Sequence, residues 1–167
     1  ERGASVVIDN TCATPLHQKP LAFGADISVH SASKYLGGHS DIVAGALACN
    51  AALAESIARR ERDLLGSCMD PHQAWLLIRG LRTIPLRMER HEANAREVAA
   101  FLRSHHLVER VLWPGLPDHP EASIIEAQMT GFSGLLSFIP RLERSALGAF
   151  LRALRLFEVG PSWCGYE

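Results

Sequence analysis

The sequence lacks a long apolar run, a paired-cysteine motif and an excess of charge of either sign. No apolar run reaches the roughly 20 residues that a membrane-spanning helix needs, and the first residues carry no signal-peptide pattern. The formal net charge is −1, from 17 basic and 18 acidic residues, which does not favour a surface for nucleic acid or anionic lipid. We therefore expect a cytoplasmic protein without a nucleic-acid or membrane partner.

Cysteine and histidine also lack the spacing of a metal site. The four cysteines are scattered without a CxxC pair, which predicts reduced thiols rather than a disulfide framework or a zinc site. The eight histidines show neither an HExxH motif nor a His/Cys cluster, so we expect no metal.

What the sequence does contain is enough apolar material for a sizeable core, since 47% of the 167 residues are hydrophobic and 21% are charged. Neither the start at Glu1 nor the end at Glu167 has the sequence of a natural terminus, and we expect the chain to be a fragment.

Apolar runs and breakers predict an α/β organisation. The run 5–8 is β-branched without alternation, as in a strand buried on both faces of a parallel sheet. Asn50 is a predicted N-cap, and Asp70-Pro71 is a strong helix start. The full set of predicted elements is strands at 5–8, 26–30, 42–49, 108–113 and 134–139, and helices at 50–65, from 70, 86–105, 120–129 and 144–154, with a final strand or turn.

The helix breakers and the change from α/β to α+β organisation predict two units in the chain. Gly80 and Pro85 should break or bend the helix that starts at Asp70, and its dense apolar stretch 74–78 predicts burial on most sides. We place a boundary near residue 90, between an α/β unit at 1–90 and an α+β unit at 91–167.

Two polar strand ends carry the candidate chemistry. Asp9 and Lys34 each follow the carboxyl end of a predicted strand, where ligands bind in open α/β sheets. An ordinary ion pair is the simpler interpretation. The alternative is a site for pyridoxal phosphate, because lysine forms Schiff bases with aldehydes and a carboxylate keeps a pyridine nitrogen protonated. Ser31 and Ser33 would then donate hydroxyls to the phosphate, before a glycine turn at 37–38.

Three segments in order resemble the Cys/Met-metabolism family of pyridoxal-phosphate enzymes, the cystathionine synthases and lyases. They are Asp9-Asn10-Thr11, the sequence HSASKYLGGHSDIVAG at 30–45, and RGLRT at 79–83. The resemblance covers essentially the whole chain. It implies part of the aminotransferase-like large domain of fold type I at 1–90, which binds the cofactor, and the first part of the smaller C-terminal domain at 91–167.

The resemblance also implies roles for individual residues. Lys34 would hold the cofactor aldehyde covalently, Asp9 would bind the pyridine nitrogen, Thr11 would lie by the ring, and Ser31 with Ser33 would bind the phosphate. Ser33 stands where the family usually has threonine, which keeps the hydroxyl. Cys12 stands where an aromatic residue is usual.

The end of the chain, SWCGYE, resembles the Ser-Trp-Gly-Gly-Tyr-Glu segment of bacterial cystathionine β-lyases. The γ-synthases and γ-lyases usually carry Glu-Ser-Leu-Gly-Gly there. By this resemblance Ser162 would lie near the substrate carboxylate and Trp163 would line the pocket. Pro161 matches neither type, and Cys164 replaces a glycine that would allow a special backbone conformation.

These features favour a carbon–sulfur lyase of trans-sulfuration that cleaves cystathionine, or related cysteine S-conjugates, to homocysteine, pyruvate and ammonia. Alternatives are a cystathionine γ-synthase, a γ-lyase or an O-acylhomoserine sulfhydrylase. The family's phosphate loop, ring-stacking aromatic residue and substrate-binding arginine fall outside the chain, so a truncated, non-catalytic remnant is a further alternative. The resemblance implies a homo-oligomer that is a dimer of dimers.

Overall fold

The computed structural model describes residues 3–165, and their first part forms a three-stranded sheet in the order β1-β2-β3. Strands β1 and β2 run parallel, with Asp9 opposite Val29. Strand β3 is antiparallel to β2. The carboxyl ends of β1 and β2 therefore lie at the same edge of the sheet. The strands are β1 (Val7–Asp9), β2 (Ile27–Ser31) and β3 (Gly45–Cys49).

The prediction that the first strand is buried on both faces is wrong for this chain. Val7 keeps 54% of its surface exposed and Leu47 of β3 keeps 49%. Among the strands of the described residues, β1 lies at the edge of the sheet and pairs with β2. The exposure of Val7 shows that no second layer from residues 3–165 covers its side chain.

Seven α-helices are described, and two of them start at the side-chain N-caps that the sequence predicts. The Asn50 side chain accepts the Leu53 N–H at 2.9 Å, and Asp70 accepts the N–H groups of His72 and Gln73 at 2.9 and 3.1 Å. The helices are α1 (Thr14–His17), α2 (Ala51–Ile57), α3 (Asp63–Leu65), α4 (Pro71–Leu81), α5 (Ile84–Ser104), α6 (Ala122–Gln128) and α7 (Leu147–Ala153).

Shorter turns complete the helical elements. Ala32–Leu36 and Ala58–Arg62 are π-helical turns, and Pro20–Phe23 and Arg144–Ala146 are 3₁₀ turns. The helix predicted at 50–65 is therefore one helical run with a π turn inside it.

The helix that begins at Asp70 ends where the breakers predict, since α4 stops at Leu81 and α5 starts at Ile84 with Pro85 in its first turn. Its predicted burial is wrong, however. Trp75 and Ile78 are 57% and 53% exposed, because within residues 3–165 this helix packs along one side only.

The last third contains a two-stranded antiparallel sheet of β4 (Val108–Leu112) and β5 (Ser137–Pro140). Strand β5 begins three residues later than predicted. The strand or turn predicted after α7 is a run of bends without a strand, as far as the described residue 165.

Helix α5 carries two separate cores along its length. Near its start, Ile84 and Met88 pack against Ala32, Tyr35 and Leu36 from the turn after β2. Nearer its end, a second cluster forms from Ala95, Ala99, Val111 and Trp113. The domain boundary predicted near residue 90 falls between these clusters, inside an unbroken helix, and it stays a prediction.

Within residues 3–165, no helix is long and apolar enough to cross a membrane. The same part of the chain has no group of three or more His, Cys, Asp or Glu side chains placed to hold a metal ion.

Candidate active site

The shared edge of β1 and β2 brings Asp9, Thr11 and Ser31 together. The Thr11 hydroxyl donates to Asp9 Oδ1 at 2.5 Å, and the Thr11 N–H donates to the same oxygen at 3.0 Å. The Thr11 Oγ1 also accepts the Ser31 N–H at 2.7 Å. Three of the predicted cofactor residues therefore form one connected group, with Thr11 at its centre.

Hydrogen bonding keeps Asp9 ionised. The bonds from the hydroxyl and then the N–H of Thr11 lower the pKa of this carboxyl below its ordinary 3.8; burial opposes this shift, and the nearby His30 has the smallest effect, in the lowering direction. Asp9 is therefore an anion at neutral pH, as a partner for a protonated ring nitrogen must be.

His30 is a neighbour of Asp9 that the sequence interpretation did not identify. It is 6% exposed, and its Nε2 lies 3.3 Å from Ser28 Oγ. Burial lowers the pKa of its imidazole, although the Asp9 charge opposes this. The available signal was the alternation of β2, which puts Ser28 and His30 on the same buried face of the strand.

Lys34 lies in the turn after β2 and meets the end of the chain. Its φ of −92° and ψ of −127° depart from helical values inside the turn. The Nζ atom donates to Ser162 Oγ at 2.5 Å and lies 5.2 Å from the centroid of the Trp163 ring. The structure thus brings the lysine together with the two residues predicted to contact substrate.

The Ser33 hydroxyl is hydrogen-bonded to the main chain of Ala44, the residue just before β3. Its Oγ accepts the Ala44 N–H at 2.9 Å and donates to the Ala44 carbonyl at 3.3 Å. The hydroxyl proton therefore already has an acceptor, and a phosphate would have to compete for it. The phosphate-binding role of Ser33 stays a prediction, as does that of Ser31.

Cys164 has the backbone conformation that suits glycine. Its φ is +75°, in the left-handed region that side chains with a Cβ rarely adopt. Burial raises the pKa of its thiol to about 12, although the Tyr35 hydroxyl and the Lys34 charge oppose the shift. The thiol is therefore neutral and lies within the electrostatic reach of Lys34.

Tyr35 links the lysine turn to the second half of the chain. The residue is 2% exposed, and its hydroxyl accepts the Gly134 N–H at 3.2 Å. Its ring contacts Trp163 edge-on, with the centroids 5.9 Å apart. Burial raises the pKa of this hydroxyl, so it remains protonated. Tyr35 thus holds Trp163 and the segment around Gly134 beside the lysine turn.

A cavity of about 200 Å³ opens beside Asp9. Asn10 and Cys12 line it from the first half of the chain, and Phe132 and Ser133 line it from the second. Although the Cys12 residue as a whole is exposed, the partial loss of water around its thiol, together with the Asp9 charge, raises the pKa of that thiol. Lys34 does not line this cavity, so the cavity covers only the Asp9 side of the site.

Comparisons with known proteins agree on one family. The sequence model for the family "Cys/Met metabolism PLP-dependent enzyme" matches residues 1–167. The chain is 42% identical to a cystathionine β-lyase of Lactococcus lactis subsp. cremoris over 98% of its own length and 43% of that protein. It is 43% identical to a cystathionine γ-lyase of Sus scrofa over 97% of its own length and 40% of that protein.

Synthases are equally similar. A cystathionine γ-synthase 1 of Nicotiana tabacum, described as chloroplastic, is 42% identical over 100% of the chain and 31% of that protein. The crystal structure of a cystathionine γ-synthase from Xanthomonas oryzae pv. oryzae in complex with cystathionine superimposes with a TM-score of 0.93 at 40% identity. That match covers 99% of the chain and 43% of the solved structure. The chain thus spans well under half the length of these relatives.

The residues present fit pyridoxal phosphate. The site offers a lysine amine whose hydrogen-bond partner is a neutral hydroxyl, and a carboxylate whose pKa is held down by two hydrogen bonds. These are the groups that an aldehyde and a pyridine nitrogen require. The predicted fold class is confirmed by the solved relatives, and the predicted cofactor by the family match. The chain belongs to the Cys/Met metabolism family of pyridoxal-phosphate-dependent enzymes.

Proposed function

We propose that the protein is a carbon–sulfur lyase of trans-sulfuration, which cleaves cystathionine to homocysteine, pyruvate and ammonia. The observation that carries the proposal is the contact of Lys34 Nζ with Ser162 and Trp163. The Ser-Trp pair is the part of the sequence that resembles β-lyases, and here it lies against the lysine.

Each residue has one task in this proposal. Pyridoxal phosphate, when bound, supplies an electron sink for the bonds at the substrate α-carbon. Asp9 holds a proton on the ring nitrogen, because its own low pKa keeps it anionic. Lys34 Nζ removes the α-proton of the amino acid as a general base, and Ser162 Oγ orients that amine. Ser31 and Ser33 hold the phosphate group.

The γ-type activities are the main alternative, because relatives named γ-lyase and γ-synthase are as similar to the chain as the β-lyases are. O-acylhomoserine sulfhydrylase belongs to the same set. A non-catalytic remnant is the other alternative, and it is tested on the complete reading frame, since the chain spans 31% to 43% of the length of the relatives described above.

Product analysis separates these activities. The protein, expressed from its complete reading frame and loaded with pyridoxal phosphate, is incubated with cystathionine. Pyruvate indicates β-cleavage and supports the proposal, whereas 2-oxobutyrate indicates γ-cleavage. Homocysteine formed from an O-acylhomoserine and sulfide indicates a sulfhydrylase. A protein that gives none of these products above the level of the Lys34→Ala variant contradicts the proposal and favours the non-catalytic alternative.

The proposal includes a cytoplasmic location and a homo-oligomer. The location is supported by four free cysteines, which suit a reducing compartment, and cell fractionation tests it against the chloroplast named for some relatives. The dimer of dimers is carried over from the family resemblance alone. Light scattering of the purified protein measures it, and a monomer would contradict it.

A further inference from the structure

Side-chain hydrogen bonds hold the main chain on both sides of Lys34. On one side, Ser33 exchanges two hydrogen bonds with the main chain of Ala44. On the other side, the Tyr35 carbonyl accepts a hydrogen bond from Arg87 Nη1 at 2.8 Å. The lysine therefore lies between two anchors, one from the residue before it and one from the residue after it.

Arg87, in the first turn and a half of α5, uses all three of its guanidinium nitrogens. Besides the Tyr35 carbonyl, Nη2 donates to the Gly80 carbonyl at 2.9 Å and Nε donates to Thr83 Oγ1 at 3.0 Å. Burial lowers the pKa of this guanidinium, but arginine remains charged in proteins. A planar fork of this kind fixes two carbonyls relative to each other in a way that a lysine cannot.

Two glycines show how closely the segments approach. Gly38 has φ +72°, and a Cβ there would collide with the Arg87 guanidinium. A Cβ on Gly80 would collide with the carbonyl oxygen of Gly37. The lysine turn and the junction of α4 and α5 are therefore in direct backbone contact, and Arg87 is the side chain that joins them.

We propose that Arg87 is a positioning residue, which sets the location of Lys34 Nζ by holding the Tyr35 carbonyl. This inference rests on the proposed role of Lys34 as the residue that carries the cofactor. The φ and ψ of Lys34 depart from helical values, its carbonyl accepts the Gly38 N–H at 2.7 Å, and Ser162 contacts only the tip of its side chain. The anchors on the two neighbouring residues add to this main-chain bond and fix the direction in which the side chain leaves the turn.

The first test needs no cofactor. Arg87→Lys keeps the charge but cannot make the three bonds, and Arg90→Lys is the matched control at an exposed arginine of the same helix. Hydrogen exchange is measured at the amides of Gly37 and Gly38, which donate to the carbonyls of Ala32 and Lys34. We expect about tenfold faster exchange in Arg87→Lys, and wild-type exchange in Arg90→Lys.

The second test uses the protein loaded with pyridoxal phosphate. Borohydride trapping followed by peptide mass analysis gives the fraction of Lys34 that carries the cofactor, and steady-state kinetics give kcat and KM. A displacement of the lysine by about 1 Å should lower kcat about 10- to 100-fold. KM for the amino acid should change less than about threefold. Arg90→Lys should match the wild type in all three quantities.

The outcomes are distinguishable. If no cofactor is trapped on Lys34 in the wild type, the proposed function is wrong. Hydrogen exchange then still tests whether Arg87 stabilises the turn around Lys34. If Arg87→Lys matches Arg90→Lys in exchange and kcat, the positioning role is overturned. An equal rise of exchange along the whole chain also overturns it, because Arg87 would then only stabilise the fold.

A milder variant covers the case in which Arg87→Lys does not fold. Thr83→Val removes the hydroxyl that accepts from Arg87 Nε and leaves the guanidinium in place. We expect the amides of Gly37 and Gly38 to exchange about threefold faster in this variant than in the wild type. Wild-type exchange and kcat in this variant would refute the inference.

Discussion

The two ends of helix α5 pack against very different surroundings. At its start, the core around Met88 adjoins charged and strained groups, including Arg87, Lys34 and the left-handed Cys164. At its end, the core around Trp113 is mostly apolar, with the Arg96 guanidinium over the Trp113 ring at 5.5 Å, and the Trp113 Nε1 donates to the Ser133 carbonyl at 3.1 Å. The first end thus lies against the lysine turn, whereas the second packs mainly side chain against side chain.

This difference teaches where the backbone itself is part of the site. At the first end, main-chain atoms of the lysine turn touch the α4–α5 junction, and positions such as Gly80 have no room for a side chain. At the second end, side chains fill the space, with the Trp113 and Phe132 rings edge-on at 5.4 Å between centroids. Substitutions at the two ends should therefore separate function from stability.

The largest expected effect is that of Lys34→Ala, because Lys34 is the proposed site of covalent cofactor attachment; Lys19 is the other lysine among the 167 residues. We expect turnover to fall at least about a thousandfold, as for other residues that react covalently. The covalent cofactor signal should also disappear from the trapped peptides. Lys19→Ala is the matched control and should retain both. A trapped cofactor on Lys19 in the wild type would contradict the assignment of Lys34.

Asp9→Asn should have the next largest effect. The amide keeps the size of the carboxyl but cannot hold a proton on the ring nitrogen, so we expect bound cofactor and turnover lowered about 100-fold. Near-normal turnover, measured together with the cofactor's visible absorption, would contradict the ring-nitrogen role.

The pH dependence of Asp9 follows from its lowered pKa. A group whose pKa is lower in the folded state stabilises the fold above its unfolded pKa and loses that contribution as the pH falls through the folded value. The wild type should therefore lose stability as the pH falls below the ordinary value of 3.8, and Asp9→Asn should lose less over the same range. Acid titrations followed by circular dichroism measure this difference, and parallel curves would contradict it.

The sequence predicted the elements of both ends because their signals are local. Asp70-Pro71 marks a helix start by its own chemistry, and Asp9 and Lys34 follow apolar strands. Burial was not predictable in the same way, since the exposure of Trp75 depends on which other segments pack against it.

Arg87 shows a second limit of prediction from the sequence, which concerns hydrogen-bond partners. In the sequence it is one charge on an amphipathic helix, and its main partner, the Tyr35 carbonyl, is 52 residues away. Ser33 shows a third, because the motif indicates a hydroxyl for phosphate and the fold gives that hydroxyl to Ala44. Partners distant in sequence decide what a polar side chain does.

Core truncations at the two ends sharpen the comparison. Met88 and Trp113 are 0% and 3% exposed. Met88→Ala should lower the free energy of unfolding by about 2–5 kcal/mol, and Trp113→Ala by about 3–5 kcal/mol. Urea unfolding measures both. Met88→Ala should also lower the trapped fraction of Lys34, whereas Trp113→Ala should leave it unchanged. Equal loss of trapping in both variants would mean that the two ends are not functionally distinct.

The smallest expected effect is a difference between two variants at one residue, Cys164→Gly and Cys164→Ala. Both remove the thiol, so the difference in their free energies of unfolding reports the backbone conformation together with the packing of one Cβ. In the folded state, an alanine at φ +75° is destabilised by about 1–2 kcal/mol, because its Cβ disfavours the left-handed conformation. Glycine avoids this strain but stabilises the unfolded state by about 0.4–1 kcal/mol through its larger conformational entropy. We therefore expect the glycine variant to be more stable by about 0.5–1 kcal/mol.

The same pair of substitutions at Cys49, in strand β3, is the control. There the alanine variant should be the more stable one, because glycine weakens an extended strand. The same sign at both positions would mean that Cys164 does not hold the left-handed conformation in solution, and that the wall of the lysine site is built differently.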